Sequence, residues 1–500
     1  MNRKPNIVYI LADDMGYGDV SALNPNAAFE TPNFDAMAQN GVVFTDAHAS
    51  SAVCTPSRYS ILTGRYNWRS QLKSGVIGGF SPPLIEQGRT TVADLLKEQG
   101  YQTAAFGKWH LGMDFAKTAD FVELEGFAHS PGVDYSGPIQ NGPNACGFDY
   151  FFGISASLDM PPYAYIENDR FTAAPDPDRV ARGEGKEFFR EGPCAPDFDH
   201  EEVLDVLTDR VLDTLEELQD GPFFLYFALP APHTPIFPAP AFRGKSGTNA
   251  YGDFVLHCDD VVGRVRRKLK KLGIAENTLL IYTSDNGCSP MADFDELKAH
   301  GHNPSYLFRG MKADIYEGGH RVPLLMEWPE AMPQGERCDR LVCLSDLMAT
   351  LADLLEIRLL DNQGEDSVSI LPLMRKPQAD EVRRDLVHQS IDGSLSLRRG
   401  CFKLALCPGS GGWSSPRPGE EAPDALCFQL FNLAEDVAEQ KNLLDQYPDM
   451  VQEMKQTLMN YLIRGRSTAG APQENQGEAI WQAIAWAEQA EQAVDGKTAP

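Results

Sequence analysis

The chain reads as an α/β protein: a large, mostly parallel sheet flanked by helices, followed by a smaller C-terminal subdomain built on an antiparallel sheet. Three observations carry that expectation. Continuous apolar, β-branched runs recur along the chain, as strands buried on both faces require. Amphipathic helical stretches alternate with them, which is the pattern of a parallel sheet. Near Leu373 to Asp380 the runs shorten and turn residues separate them directly, the signature of antiparallel strands. Five hundred residues also exceed one compact core. The expected units are 1–375, 376–465 and a tail over 466–500.

In order, Asn6 to Ala12 is the first buried strand, and it ends in Asp13 and Asp14. Adjacent carboxylates at a strand end repel each other unless a cation lies between them, although a solvated loop would also accommodate them. Thr31 to Asp35 opens a short helix that closes near Gly41, and the strand Val42 to Phe44 leads on to Cys54. Pro56 suits a first helical turn and Gly64 a left-handed helix end. That helix holds Cys54 just before its N-terminus, where free N–H groups and the dipole favour an anion. Arg58 adds forked donors suited to tetrahedral oxyanions. By itself the fragment is equally compatible with a buried structural cysteine.

Thr91 to Gln99 is the next helix, and a strand over Thr103 to Phe106 runs into Gly107-Lys108-Trp109-His110-Leu111-Gly112. Lys108 and His110 stand two apart and point into one cleft. Met113 to about His200 shows no clean periodicity, so it is expected to be loop-rich and to carry substrate recognition, with Ser157 to Tyr163 standing out. Asp114 and Asp134 are candidate hydrogen-bond acceptors for a substrate's hydroxyls. Glu201 to Leu218 is a helix, Phe223 to Leu229 a strand, and the loop Ala231-Pro232-His233-Thr234-Pro235 fixes where His233 points. Phe254 to Leu272 is a helix with a basic end. Thr278 to Thr283 is a strand that ends in Ser284-Asp285-Asn286-Gly287. His302 lies in a polar turn-forming segment and is a further candidate substrate contact. Lys312, the segment Glu317 to Pro323 and a strand over Leu324 to Trp328 follow. Five strands thus deliver candidate site residues at or past their carboxyl ends, where open α/β sheets bind ligands.

Beyond residue 376, short strands are expected at Leu386 to Gln389, Leu395 to Arg398, Phe402 to Leu406 and Phe428 to Leu433. A helix over about Pro448 to Arg464 closes the fold, with another around Ile480 to Ala493.

Composition narrows the function. The 71 acidic residues against 44 basic ones give a net charge of −27, which disfavours nucleic acid and anionic membranes as partners. The same field repels an anionic ester, so local positive charge has to come from Arg58, Lys108, Lys312 and a metal. The ten cysteines follow no zinc or disulfide spacing, and Cys401 with Cys407 in an expected strand could face the same side. No apolar run reaches membrane-spanning length. Met1 to Pro5 leads straight into a strand, leaving no room for a signal peptide, so a cytoplasmic protein with reduced thiols is expected.

Cys-x-Pro-Ser-Arg-x-x-x-Leu-Thr-Gly-Arg, from Cys54 to Arg65, resembles the signature of the type I sulfatases at every fixed position. Gly107 to Gly112 resembles that family's second signature, and Leu430 to Leu443 its C-terminal turn. The resemblance spans roughly residues 5 to 445 and implies an alkaline phosphatase-like fold. It implies that Cys54 is oxidised to formylglycine by a maturation enzyme. Asp13, Asp14, Asp285 and Asn286, with that residue, would bind one calcium ion, or magnesium in its place. Arg58 would hold the formylglycine, and Lys108 and Lys312 would contact the sulfate. A hydroxyl of the hydrated aldehyde would attack sulfur, His233 with Lys312 would protonate the leaving alcohol, and His110 would release sulfate. The implied substrate is a sulfated mono- or oligosaccharide, with an aryl or steroid sulfate as the alternative. A phosphoester or phosphonate hydrolase of the same superfamily and a non-catalytic binding protein are the rivals, and a homo-oligomer is compatible with the tail.

Overall fold

The computed structural model describes residues 4–487 apart from 123, 125, 128, 181 and 182. The main sheet contains β1 (Asn6–Ala12), β2 (Val42–Phe44), β3 (Gln102–Lys108), β4 (Tyr150–Ile154), β5 (Ile166–Glu167) and β6 (Arg170–Phe171). It is completed by β7 (Phe223–Ala228), β8 (Thr278–Ser284), β9 (Leu324–Glu327) and β10 (Glu336–Cys338). Their order across the sheet is β10-β2-β9-β8-β1-β7-β3-β4-β5-β6.

The five central strands, β8 to β4, run parallel, antiparallel pairs flank them on both sides, and the edge strand β10 pairs parallel with β2. β2 lies antiparallel to β9, which itself opposes β8, so β2 again points the same way as β1. The five strands expected to deliver site residues therefore share one direction.

Alternation along β1 explains its continuous apolar run. Val8, Ile10 and Ala12 enter a core beneath the helices Val203–Leu218 and Ala250–Lys271. Ile7, Tyr9 and Leu11 enter a second core with the helices Cys54–Thr63, Val92–Glu98 and Leu347–Leu354. Both faces are covered, as a parallel sheet requires.

The loop-rich expectation for residues 113–200 needs correcting at Tyr150–Ile154. This strand is part of the sheet, and Tyr-Phe-Phe-Gly-Ile concealed it because glycine weakens a strand pattern. Gly153 is required there, since a Cβ would lie 2.0 Å from the Gly107 carbonyl oxygen on the next strand.

The C-terminal sheet is antiparallel in simple sequence order: β11 (Asp385–Gln389), β12 (Leu395–Arg399), β13 (Phe402–Ala405) and β14 (Gln429–Asn432). The helix Pro448–Arg464 packs its Met454, Leu458 and Leu462 against it. Cys401 and Cys407 are not bridged to each other. The expected helix around 480–493 extends past the described residues. Within the described part the chain forms the 3-10 turn Gln482–Ile484, and residues 486 and 487 are already helical. No helix among the described residues is long and apolar enough to cross a membrane.

Candidate active site

Strand register brings the site together. Ala12 lies opposite Ser284, Leu11 opposite Ala228, and Ala228 opposite Gly107. The residues that follow these ends, Asp13, Asp285 and Lys108, therefore emerge in one row. Asp285 N–H donates to the Ala12 carbonyl at 3.1 Å, and Asp13 N–H to Ala231 at 3.0 Å, which ties the His233 loop to the same row. Gly107 has φ +88, and a Cβ there would lie 1.9 Å from the Ala228 carbonyl oxygen. Only glycine lets β3 approach this closely.

The helix Cys54–Thr63 begins with Cys54 itself, two residues before Pro56, with Val53 as its N-cap. Gly64 closes it at φ +63, as expected of a left-handed C-terminal residue. Arg58 is fully buried and donates from Nε and Nη2 to Asp285 Oδ2 at 3.0 and 2.8 Å, and from Nη1 to the Lys108 carbonyl at 2.9 Å. Lys108 Nζ lies 2.7 Å from Asp13 Oδ2. Lys312 Nζ lies 2.6 Å from Asp14 Oδ1, and Asn286 Nδ2 donates to the same oxygen at 2.7 Å. Ala313 N–H bonds the Ala52 carbonyl at 2.8 Å, which fixes the Lys312 segment beside the approach to Cys54.

Charge in this buried set balances: Asp13, Asp14 and Asp285 oppose Arg58, Lys108 and Lys312, each paired with one of them. Burial works against the Asp13 carboxylate, but Lys108, His233, Arg58 and Lys312 outweigh it and hold the group well below the ordinary range. Burial and the neighbouring Asp13 push Asp285 the other way, as crowded carboxylates do. Lys312 is held above the ordinary lysine value by Asp14 despite its burial.

Asp13 Oδ1 and Asn286 Oδ1 are buried without a hydrogen-bond donor among the described residues. Carboxylate oxygens of Asp13 and Asp285 lie within 4.8 Å of each other and of Cys54 Sγ, and Asp13, Asp14 and His233 form an overlapping group. Orphaned hard oxygens on residues of this group fit a divalent cation. Burial raises the Cys54 thiol above its ordinary value, so it is protonated at neutral pH and a poor nucleophile as it stands.

The two histidines approach from different loops. His233 Nε2 lies 3.6 Å from Asp14 Oδ2, and its Nδ1 is 2.5 Å from the Thr234 carbonyl oxygen. His110 Nε2 lies 2.8 Å from the Ile77 carbonyl, and its Nδ1 has no partner among the described residues. Burial, then Lys108 and Arg58, lower its pKa well below the usual value, so the ring is neutral.

Three expected substrate contacts are held by other partners in the fold. His302 is 1% exposed, with Nε2 2.8 Å from Asp19 Oδ1 and Nδ1 accepting from Ala28 N–H at 3.3 Å, and its ring packs at a tilt against Phe29. Both ring nitrogens are used internally, and its polar, turn-rich segment gave no hint of that. Asp114 accepts from Asn141 Nδ2 at 2.7 Å and lines a separate cavity with Phe80, Phe115 and Phe121. Asp134 caps its own turn through Ser136. The segment 75–79, which supplies the carbonyl oxygen against His110, carries no motif that would have singled it out.

A family model described as Sulfatase matches residues 5–357. The chain is 32% identical over 507 residues to an N-acetylgalactosamine-6-O-sulfatase of Bacteroides thetaiotaomicron, covering 93% of this chain and 94% of that one. It is 31% identical over 497 residues to human arylsulfatase A, covering 95% and 91%. Among solved structures it resembles a 6S-sulfatase from Bacteroides thetaiotaomicron, described with the metabolism of multiple glycosaminoglycans. There the TM-score is 0.80 at 31% identity, covering 91% of this chain and 99% of that one.

Proposed function

Since this chain belongs to the sulfatase family and is a sulfuric ester hydrolase, we propose that its substrate is a sulfated sugar, 6-O-sulfated N-acetylgalactosamine or an oligosaccharide carrying it. The names of two similar proteins support that choice. The observation that carries the chemistry is the balanced buried cluster around Cys54, with two lysines paired to the strand-end aspartates.

A formylglycine made from Cys54 and a divalent cation, the groups sulfatases use, supply the nucleophile and the charge neutralisation that sulfuryl transfer needs. In this reading Asp13, Asp14, Asp285 and Asn286 hold the cation, and their all-oxygen donor set favours calcium. With three positive and three negative side chains the cluster has no net charge, so the cation leaves it positive enough to accept a sulfate against the −27 of the whole chain. Lys108 and Lys312 turn from their aspartates to the sulfate oxygens. Arg58 stays on Asp285 and keeps the helix start in place. His233 gives a proton to the departing sugar oxygen, and neutral His110 takes one on the Cys54 side so that sulfate can leave. The enzyme that oxidises Cys54 is the required maturation partner.

The test is sulfate release from N-acetylgalactosamine 6-sulfate, its 4-sulfate isomer, N-acetylglucosamine 6-sulfate and 4-nitrophenyl sulfate, using protein whose Cys54 conversion is verified by peptide mass. The first sugar is expected to be turned over fastest, and Cys54→Ala to abolish every rate. Turnover of the aryl sulfate with none of the sugars would overturn the substrate assignment.

A further inference from the structure

The loops that carry the two histidines are joined to each other by one ion pair outside the cluster described above. On the His110 side, His110 N–H donates to Ser155 at 2.9 Å, and the chain continues through Ser157 to Asp159. Gly79, two residues from the Ile77 carbonyl that faces His110, packs so tightly here that a Cβ would lie 2.0 Å from the Pro161 carbonyl oxygen. On the His233 side, Thr234 Oγ1 donates to the Lys186 carbonyl at 3.0 Å and Ile236 N–H to the same oxygen at 2.8 Å. That segment continues through Phe188 to Arg190. Arg190 N–H then donates to the Asp159 carbonyl at 3.0 Å, and its Nη1 bonds the Asp159 carboxylate.

This pair is asymmetric. The Asp159 side chain is 8% exposed and the Arg190 side chain 29%. Only Nη1 of the guanidinium finds protein acceptors among the described residues, which leaves Nε and Nη2 without one. The rings of Phe127 and Phe188 lie 4.6 and 5.6 Å from its central carbon, and Phe188 is itself 37% exposed. A planar donor group is thus held rigid on one edge, flanked by aromatic faces and open on the other edge, between the loop that presents His233 and the loop that presents His110.

We propose that Arg190 is a specificity-determining residue: held by Asp159, it donates from Nε and Nη2 to a hydroxyl oxygen of the sugar alcohol that leaves. The proposal rests on the reading of the substrate as a sugar sulfate. Its partner is a neutral hydroxyl rather than a second anion because Asp159 already neutralises the guanidinium. Phe188 offers an apolar face for the sugar's C–H groups, and a planar fork fixed on one side loses little freedom on binding.

The experiment compares N-acetylgalactosamine 6-sulfate, its 3-deoxy and 4-deoxy analogues, and 4-nitrophenyl sulfate, which has no hydroxyl to read. Wild type, Arg190→Met and Arg190→Lys are assayed. A hydrogen bond from a charged donor is worth about 10- to 100-fold. Arg190→Met is expected to lower the kcat/KM ratio of sugar to aryl sulfate by that factor. Arg190→Lys keeps the charge without the fork and is expected to retain most of the loss. One deoxy analogue should lose the same factor with wild type and nothing further with Arg190→Met. The sugar-to-aryl ratio should be insensitive to ionic strength.

Equal loss on the sugar and the aryl ester would make Arg190 a structural brace and overturn the proposal, as would an unchanged ratio. A ratio that falls steeply with salt would mean an anionic partner and also overturn it. Wild-type protein that hydrolyses the aryl ester and no sugar would remove the substrate reading itself, an outcome visible before any variant is made.

Discussion

Two buried clusters in this protein have the same charge inventory and different chemistry. Around Cys54, Asp13, Asp14 and Asp285 face Arg58, Lys108 and Lys312. Where the C-terminal sheet meets the main domain, Asp46, Glu317 and Glu439 face Arg321, Arg398 and Lys403. The second cluster also gathers His48, His320 and His388, whose nitrogens are close enough together to resemble a metal site.

Donor direction separates them. Around Cys54 two oxygens, Asp13 Oδ1 and Asn286 Oδ1, lack a hydrogen-bond donor among the described residues, whereas in the second cluster the ring nitrogen His388 Nε2 lacks a partner among them. In the second cluster the rings of His320 and His388 stack with centroids 3.7 Å apart and planes 12° from parallel. Lone pairs of parallel rings run side by side and do not converge on one ion. Lys403 Nζ sits 3.0 Å from His320 Nε2, and His48 spends its nitrogens on Asp46 at 2.9 Å and His320 at 3.0 Å. Gathering ligating residue types is therefore not enough for a metal site. The second cluster works as a joint: Ala49 N–H bonds the His320 carbonyl at 2.8 Å and Gln389 N–H the Ser50 carbonyl at 3.0 Å, which seats the C-terminal sheet on the segment leading to Cys54.

The contrast breaks most sharply at Asp13. Asp13→Asn is expected to cut activity about a thousandfold and to lower the divalent-metal content, read by elemental analysis. Full activity after chelation, with the metal shown to be gone, would erase the distinction between the clusters. Lys403→Met tests the other side. It leaves Glu439 buried without its cation, while Glu317 keeps Arg321 and Arg398, and is expected to cost about 3–5 kcal/mol in denaturant unfolding, with metal content unchanged.

His233→Ala should lower turnover of a sugar sulfate about a hundredfold, while 4-nitrophenyl sulfate, whose phenol departs without a proton, changes much less. Equal losses on both esters would remove the proton-donor role.

The smallest effect concerns pH. Burial lowers the pKa of His48, and burial with neighbouring positive groups lowers those of His320 and His388. These rings are neutral in the folded chain and take up protons on unfolding, so their contribution is fully present above about pH 6.5 and is lost as pH falls below it. Glu439, pushed up to about 7 chiefly by burial, works in the opposite direction, so the informative readout is a difference between proteins. His388→Gln is expected to flatten the fall in stability between pH 6 and 5 by about 1.4 kcal/mol per pH unit. An unchanged slope would mean that His388 is already charged in the fold.

Local pattern determined a great deal here. Period and turn residues located β1, β3, β7 and β8 to within a residue or two, because each is apolar on both faces and bounded by breakers. The order of the C-terminal sheet was legible because hairpins join neighbours. The strand-end residues Asp13, Lys108, His233 and Asp285 were legible as a set, since parallel strands must put their carboxyl ends on one edge. Tertiary structure alone decided what each polar side chain faces. His302 looked available in its turn and is consumed by Asp19 and Ala28. Glu317 and His320 sit in the polar, glycine-bearing segment Glu317 to Pro323, yet only packing against Lys403 and His388 makes them a joint. Asp159 and Arg190, 31 residues apart in an irregular stretch, meet close to the contact where Gly79 packs on Pro161 without room for a side chain. Periodicity records which face of an element is buried. It does not record which element arrives to bury it, and the chemistry of a polar group depends on that partner.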